Sequence, residues 1–302
     1  DEVVEFLRWL SNDHFTFLGY RDYTFSKAKA DPDLISSLGF LSDTHRRLFK
    51  GNSDFLSPQC QIGKKCTLSD VLMITKTICR STVHRNAPMD VIRLKKFDES
   101  GNVIGEIQFV GLFTSTAYNR SPRDIPLLRR KVRQVLKKSS FSPQWHDGKA
   151  LIHILESLPR DELFQMTNEN LYEVSIAILH LQERQRLSLF VREDPFEHFI
   201  SCLIYVPQDR YNSELREKMQ EILEAAFQGP ISFWQSQLGD LPYARVHFII
   251  TLSPGALPKY DTKELEQKLF QASLSWKDLL KEQFIETFSA GTGREYFRHF
   301  AK

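Results

Sequence analysis

Residues 187–227 spell out a strand, a tight turn, a second strand and an amphipathic helix without interruption. A second round follows, because Ile231–Leu238 and Tyr243–Leu252 have strand patterns and Asp261–Leu280 has a helical one. A ββαββα unit of roughly 90 residues has the size and pattern of a small α+β module. Such modules sense a ligand or bind another domain, so we expect this one to modulate chemistry that takes place elsewhere.

The first 120 residues carry a separate set of sheet-forming patterns. Phe15–Phe25 is rich in aromatic residues and predicts a strand with a bulge at Gly19, and Val71–Val83 predicts another. Asp90–Phe97 and Val103–Phe113 predict a hairpin whose turn contains Gly101. Together with a helix over Val3–Leu10, these strands predict a mainly antiparallel sheet. The inventory fits a compact sensor fold of the PAS or GAF kind.

The other segments are predicted as short helices, loop and connector. We expect short helices at Asp31–Leu38 and Ser42–Phe49 and a loop over Asn52–Lys65. Helices follow at Ile125–Lys138, with Pro126 in the first turn, at Gly148–Leu158, and at Asn168–Leu181, with Asn168 as N-cap. The predicted division is an α+β domain of the PAS or GAF kind over residues 1–120, a helical connector over 121–184, the second α+β domain over 185–275, and the start of another helical segment over 276–302.

The composition is that of a folded soluble protein, with 41% hydrophobic and 26% charged residues. No apolar run approaches the ~20 residues of a membrane span, and no leader pattern opens the chain, so a cytoplasmic protein without a membrane partner is predicted. The four cysteines, Cys60, Cys66, Cys79 and Cys202, are expected to be reduced and mostly buried. Because the chain opens on Asp1 rather than Met, we expect a piece of a longer polypeptide.

A run of positive charge lies between Arg120 and Lys138. It contains Arg120, Arg123, Arg129, Arg130, Lys131, Arg133, Lys137 and Lys138 against the single acid Asp124. Residues 1–145 carry a net charge of +8 and residues 146–302 a net charge of −6. The run could track a nucleic-acid backbone, but no recognition motif accompanies it, and an acidic protein surface or plain solvation is favoured. The candidate interaction surface consists of Arg123, Arg129, Arg130 and Arg133.

Two further segments could hold a small anion or effector. His84 and Arg85 end one strand and Asp90 opens the next, so these side chains could bind a carboxylate or phosphate, or pair with each other and fix the turn. The second segment joins a strand to a helix, and Asn212 or Ser213 should cap that helix. Its free N–H groups could also hold the carboxylate of an amino acid. The candidate effector contacts there are Asp209, Arg210, Asn212 and Ser213.

Motifs for catalysis, metal binding and cofactor binding are missing from the sequence. There is no G-x-S-x-G and no close pair of histidines, and Gly291 and Gly293 do not begin a dinucleotide fingerprint. We therefore assign no catalytic, metal or cofactor residues to this chain.

Several blocks resemble the N-terminal region of the large bacterial NAD-specific glutamate dehydrogenases. They include EFLRWL from Glu5, HFTFLGYR from His14, GLFTS from Gly111, IPLLRRKV from Ile125 and HDGKAL from His146. The strongest match runs from PRDELFQ at Pro159 through HLQER at His180 to the first hairpin of the ββαββα unit. The matching blocks keep a fixed order from residue 5 to about residue 250, so they are more specific than any short motif.

The resemblance implies a fold and a setting for the chain. Members of this family are very long homo-oligomeric enzymes that interconvert glutamate and 2-oxoglutarate plus ammonia with NAD. Their N-terminal portion holds ACT-like and PAS-like domains joined by helical motifs, and the dehydrogenase core lies far downstream. The ββαββα unit then corresponds to an ACT-like, ferredoxin-like domain. None of the family's catalytic residues lies in the matching blocks, so the implied role is effector sensing or assembly, with partners in the rest of the parent chain and in other subunits.

Overall fold

A computed structural model of the chain describes residues 2–25, 33–43, 45–49, 71–181, 186–194, 197–239, 242–253, 258–288 and 291. The chain divides into two compact units, Asp1–His180 and Leu181–Lys302. Within the described residues, each unit contains one antiparallel β-sheet accompanied by helices. The predicted α+β class with antiparallel sheets is confirmed.

The first unit contains five strands and six helices within its described residues. The strands are β1 Phe15–Thr24, β2 Asp33–Gly39, β3 Leu72–Arg80, β4 Pro88–Phe97 and β5 Val103–Phe113. The helices are α1 Glu2–Trp9, which continues into a kinked turn over Leu10–His14, α2 Ser115–Asn119, α3 Leu128–Ser139, α4 His146–Ser157, α5 Arg160–Gln165 and α6 Asn168–Leu181.

The first sheet has the strand order β2-β1-β5-β4-β3, so the first and last strands pair at its centre. The predicted bulge appears as a register shift between Phe17 and Gly19. The predicted turn is also confirmed, because Asp98 Oδ1 accepts hydrogen bonds from the backbone of Ser100 and Asn102 and Gly101 has φ 81°. These local signals fix the hairpin of β4 and β5.

Two short helices predicted in the first unit are wrong. In place of Asp31–Leu38 the structure has the edge strand β2, because pairing with β1 overrides the helix-like spacing of Leu34 and Leu38. The described residues between 42 and 49 form turns rather than a helix. Their carbonyls are used elsewhere, since Arg21 donates to the carbonyls of Asp43 and Arg46. The loop predicted over Asn52–Lys65 lies outside the described residues.

The connector helices are confirmed, with two local corrections. Helix α3 begins at Leu128, so Pro126 precedes the helix instead of lying in its first turn. The chain is diverted there because Leu127 has φ 69° and donates its N–H to Glu2 Oε2. Thr167, not Asn168, caps α6, because its hydroxyl accepts from the Asn170 N–H at 3.1 Å.

The second unit confirms the predicted ββαββα order. It contains β6 Ser188–Glu193, β7 Phe199–Pro207, a 3₁₀ turn over Gln208–Arg210, α7 Ser213–Phe227, β8 Ile231–Leu238, β9 Tyr243–Thr251, α8 Thr262–Ala272 and α9 Trp276–Phe288. The sheet order is β6-β7-β9-β8, a split arrangement in which the crossover through α7 leaves room for β9 between β7 and β8.

The helix predicted over Asp261–Leu280 is interrupted in the structure. It ends at Ala272, and a separate helix begins at Trp276. The break coincides with Ser273, whose hydroxyl donates to the Phe270 carbonyl at 2.7 Å.

The core of the second unit lies between its sheet and its helices. Helix α7 contributes Leu215, Met219, Leu223 and Phe227, which are spaced every four residues and are all buried. Alternate residues of β7 and β9 meet them. Among the described residues, no helix is both long enough and apolar enough to cross a membrane.

Candidate functional site

The turn before α7 holds four of the residues predicted to contact an effector. Asp209 and Arg210 lie in the 3₁₀ turn, and Asn212 caps α7 by accepting the Leu215 N–H at 2.8 Å. Asp209, Asn212 and Ser213 are exposed. The predicted cap is thus confirmed at Asn212. It accounts for the residue type at that position, and an effector role for these residues stays a prediction.

Among the described residues, strand β8 forms one edge of the second sheet and pairs with β9 alone. Its sequence, ISFWQSQL, contains no charged residue. Phe233, Trp234 and Leu238 are 36%, 45% and 63% exposed. The Arg216 guanidinium of α7 lies 4.5 Å from the centre of the Trp234 ring. Edge strands usually carry charges or other devices against pairing with another chain, and β8 lacks charge.

The structure separates His84 from Arg85 and Asp90, which the sequence grouped in one turn. His84 is exposed and has φ 61°. Arg85 donates to the Phe113 carbonyl at 3.2 Å and to the Tyr118 hydroxyl at 3.3 Å, and its guanidinium lies over the Tyr118 ring. Asp90 instead points into the protein and is 1% exposed. Arg85 and Asp90 therefore fix the fold through different partners.

Asp90 belongs to a charged group that sequence reasoning missed, which we call the Lys76 cluster: Lys76, Asp90, Tyr118 and Asp161. Lys76 on β3 is the register partner of Asp90 on β4, and its Nζ lies 2.7 Å from Asp90 Oδ1. The same Nζ lies 3.2 Å from Asp161 Oδ2 on α5, and the Tyr118 hydroxyl donates to Asp161 Oδ1 at 3.0 Å. The cluster joins the sheet to α2 and α5.

Burial and the neighbouring charges shift the pKa values of Asp90, Lys76 and Tyr118 in the Lys76 cluster. Burial raises the pKa of Asp90 to about 6; the Lys76 ammonium opposes the rise and the Asp161 carboxylate adds to it. Burial lowers the pKa of Lys76, but attraction to Asp161 and Asp90 outweighs it, so that pKa lies well above its ordinary value. Burial and Asp161 also raise the pKa of Tyr118. The lysine therefore stays charged while Asp90 titrates.

The segment around Asp161 is a junction of the first unit. Arg160 donates to the carbonyls of Glu156 and Leu158 at the end of α4 and to that of Arg120. Phe164 stacks on Phe113 with ring centres 4.8 Å apart. These contacts give physical roles to the PRDELF block of the sequence. The signal that could have revealed the junction is the charged Lys76 inside an otherwise uncharged strand interior.

Some cations of the basic run over Arg120–Lys138 form ion pairs inside the first unit. Arg129 pairs with Glu2 at 3.0 Å and with Glu5, and Arg133 lies 3.4 Å from Glu2. The Glu2 carboxylate is buried to some extent, but the Leu127 N–H, Arg129 and Arg133 lower its pKa overall. Thus Arg129, one of the predicted interaction residues, mainly ties α3 to α1.

Two other cations of the run also make contacts inside the first unit, although Lys138 is exposed. Lys131 Nζ donates to the carbonyls of Leu163, Phe164 and Met166 at 2.7–2.8 Å and so caps the end of α5. Lys138 Nζ lies 4.4 Å from the centre of the Tyr172 ring. Arg123 and Arg130, by contrast, are exposed. The surface available to a partner is smaller than the sequence suggests.

Histidines, carboxylates and cysteines are scattered over the described part of the chain. No group of three or more His, Cys, Asp or Glu residues there could hold a metal ion. Within the described residues, Cys79 and Cys202 form no disulfide; Cys202 is buried, as predicted, and Cys79 is partly buried. Cys60 and Cys66 lie outside the described residues.

Comparisons with known proteins match both units. Residues 125–184 match the family described as glutamate dehydrogenase, helical motif 1, and residues 188–277 match glutamate dehydrogenase, ACT2 domain. The NAD-specific glutamate dehydrogenase of Halomonas elongata is 37% identical over 292 residues, which cover 95% of this chain and 18% of that protein. The protein of the same name from Pseudomonas aeruginosa is 35% identical over 303 residues, 100% of this chain and 19% of that protein.

A more distant relative, the NAD-specific glutamate dehydrogenase of Mycobacterium tuberculosis, is 28% identical over 92% of this chain and 17% of its own length. The chain therefore spans less than a fifth of the curated relatives that it matches. The matched region contains the Lys76 cluster, the helical connector and the ββαββα unit. These matches show that the chain is similar to an N-terminal region of the NAD-specific glutamate dehydrogenases, with helical motif 1 over residues 125–184 and the ACT2 domain over residues 188–277.

Proposed function

We propose that this chain is a regulatory and assembly segment of a large NAD-dependent glutamate dehydrogenase. The parent enzyme would convert L-glutamate, NAD and water to 2-oxoglutarate, ammonia and NADH, with NAD bound outside this segment. The proposal is supported by the names of the relatives and by the small share of their length that this chain matches. The absent dinucleotide fingerprint supports a segment that is catalytically silent by itself.

We further propose that residues 1–120 form a PAS-like domain and residues 185–275 the ACT-like domain, joined by the connector over 121–184. The five-stranded antiparallel sheet of the first unit, with the strand order β2-β1-β5-β4-β3, supports the first assignment. The ACT2 match over residues 188–277 supports the second. The parent protein would be a cytoplasmic homo-oligomer in which such domains sense and pack.

The observation that carries the assembly role is the uncharged edge strand β8. Its exposed Trp234 and Leu238 lie on an uncharged strand at the edge of the described sheet, a combination that natural edge strands usually avoid unless they are covered. Another part of the parent enzyme or another subunit would cover these exposed side chains. Trp234→Lys should therefore weaken oligomers of the parent enzyme in light-scattering measurements. Trp145→Lys is the matched control, because Trp145 is 74% exposed but lies between helices of the first unit.

The effector role would belong to the turn before α7. Its exposed Asn212 and Ser213 stand at a helix N-terminus, where backbone N–H groups favour a carboxylate, and Arg210 lies in the same turn. His84 and Arg85 are a second, weaker candidate for an anion. Calorimetry of the chain against a panel of amino acids tests the proposal. Heat that disappears in Asn212→Ala would support it, whereas no heat with any amino acid would leave a purely structural turn.

The catalytic proposal has a direct test. The purified chain should not reduce NAD in the presence of glutamate, whereas the parent enzyme under the same conditions should. The readout is NADH absorbance, with the folded state of the chain checked by circular dichroism. Turnover by the chain alone would overturn the proposal.

The second candidate function is nucleic-acid binding through residues 120–138. It would depend on the exposed Arg123 and Arg130, because Arg129 and Lys131 are engaged inside the first unit. Such binding should weaken steeply with added salt. If a labelled oligonucleotide shows no mobility shift at low salt, this candidate is excluded.

A further inference from the structure

The Lys76 cluster places one ammonium group between two carboxylates. Lys76 Nζ lies 2.7 Å from Asp90 Oδ1 and 3.2 Å from Asp161 Oδ2. The Lys76, Asp90 and Asp161 side chains are 14%, 1% and 20% exposed. With both carboxylates ionised, this trio carries a net negative charge in a place where water screens charge poorly.

The surroundings of Asp90 leave Lys76 as its main source of positive charge. Asp161 approaches from α5. The Tyr118 hydroxyl on α2 donates a hydrogen bond to Asp161 rather than to Asp90. Arg85, before β4, is turned toward Tyr118 and the Phe113 carbonyl. The Phe113 N–H reaches Asp90 Oδ2 at 3.5 Å, which is a weak bond. Within the described residues, Lys76 is the cation in contact with Asp90.

The two carboxylates compete for Lys76 from different elements. Asp90 lies on β4 in the sheet, whereas Asp161 lies on α5, inside the stretch that matches helical motif 1. Loss of the Asp90 charge would remove the repulsion between the carboxylates and leave a one-to-one pair between Lys76 and Asp161. Loss of the Asp161 charge would break the link between sheet and helix. The cluster is thus asymmetric, and the more buried carboxylate is the one that favours its neutral form.

We propose that Asp90 is a proton-operated switch for the contact between the first sheet and helix α5. When Asp90 is protonated, Lys76 pairs with Asp161 alone and holds α5 against the sheet. When Asp90 is ionised, it draws Lys76 toward β4 and the contact with α5 weakens. The proton is exchanged with solvent. The switch does not depend on the effector site proposed above.

The shift at Asp90 sets the pH range and the sign of the effect. Burial raises its pKa from 3.8 to about 6, so between these values the folded state binds the proton more tightly than the unfolded state. The stability contribution of Asp90 therefore falls as pH rises from about 4 to about 6 and is level above that range. The α5 contact should loosen over the upper part of the same range.

Hydrogen exchange of the chain at pH 5 and pH 7.5 tests the switch. The reporters are the amides of Leu163 and Met166, which donate within and at the end of α5 to Pro159 and Glu162 carbonyls. After correction for intrinsic exchange rates, their protection should fall about tenfold between the two pH values, the effect of one pK unit of coupling. In Asp90→Asn the protection should be high and independent of pH.

Two other variants separate the switch from a general effect of charge. Asp161→Asn should lose protection at both pH values, because the sheet-to-helix pair is gone. Asp147→Asn removes an exposed carboxylate of α4 and should behave as the unchanged chain does. Protection that is the same at both pH values in the unchanged chain, or a pH effect that survives in Asp90→Asn, would overturn the proposal. If Asp90→Asn fails to fold, carboxyl ¹³C titration of the unchanged chain decides: an Asp90 pKa near 6 supports the switch, and one near 4 overturns it.

Discussion

In the second sheet, all nine residues of the central strand β7 are buried and its helix-facing residues are apolar, whereas the first sheet buries a row of charged and amide side chains. Arg21, Arg93 and Gln108 are register partners across β1, β5 and β4, and each is at most 2% exposed. Gln108 donates to Glu106 at 2.6 Å, and burial raises the pKa of Glu106 against the attraction of Arg93.

The difference teaches how each unit holds its parts together. The second unit is stabilised by apolar burial between helices and sheet, an interaction that has no preferred direction. The first unit joins segments far apart in sequence through specific polar contacts, such as those of Arg21 with the carbonyls of Leu41 and Asp43. In the second unit, removal of an apolar group leaves a cavity. In the first unit, removal of one ionic partner leaves an unbalanced buried charge. Substitutions should therefore destabilise the two units for different physical reasons.

The largest expected effect is in the apolar core of the second unit. Phe227 at the end of α7 is fully buried, and its ring meets the Tyr260 ring at 5.0 Å. Phe227→Ala should lower the free energy of unfolding by about 4 kcal/mol, because it removes buried surface and leaves a cavity. Urea denaturation followed by circular dichroism measures the change. Phe233→Ala, at a residue 36% exposed, is the control and should cost less than about 1 kcal/mol. Equal losses for the two variants would show that the second core is not where the stability lies.

The next effect should come from the ionic junction of the first unit. Lys76→Met leaves Asp90 buried without its cation and should lower the free energy of unfolding by about 3 kcal/mol. Lys96→Met is the matched control, because the Lys96–Asp22 pair has the same 2.7 Å distance but both side chains are more exposed. That variant should cost at most about 1 kcal/mol.

A second substitution shows whether the loss at Lys76 is electrostatic. Adding Asp90→Asn to Lys76→Met removes the unbalanced carboxylate and should restore a large part of the stability in the same urea experiment. If the double variant is as unstable as Lys76→Met alone, packing of the lysine side chain rather than its charge explains the loss.

The two units also differ in how much of their structure the sequence predicts. In the second unit, the core stripe of α7 follows directly from helical spacing, so its pattern predicts the structure. In the first unit, β2 has no buried face of its own, and only its pairing with β1 makes it a strand. The Lys76 cluster joins residues 85 positions apart; Lys76 belongs to no recognisable motif, and the PRDELFQ block around Asp161 does not indicate which residue Asp161 contacts. Local patterns predict elements, but contacts between distant polar residues depend on the fold.

A smaller effect is expected at the cap of α7. Asn212→Ala removes the acceptor of the Leu215 N–H and should cost about 1 kcal/mol in the free energy of unfolding. Ser213→Ala changes the adjacent exposed residue and should leave stability unchanged within about 0.5 kcal/mol. If both variants are equally stable, the cap bond contributes nothing measurable, and the case for Asn212 would depend on effector binding alone.

The smallest effects should distinguish two neighbouring arginines of α3. Arg129 pairs with Glu2 and Glu5 and holds α1, so Arg129→Glu replaces attraction by repulsion and should lower the free energy of unfolding by about 1 kcal/mol. Arg130 is exposed, and Arg130→Glu should change stability by less than about 0.5 kcal/mol while altering any binding of an acidic partner. Urea denaturation of both variants at low and high salt measures the difference, and salt should shrink the loss at Arg129 because these charges are partly exposed. A larger loss of unfolding free energy for Arg130→Glu than for Arg129→Glu would contradict this assignment. It would mean that Arg130 stabilises the fold more than the contacts of Arg129 with Glu2 and Glu5 do.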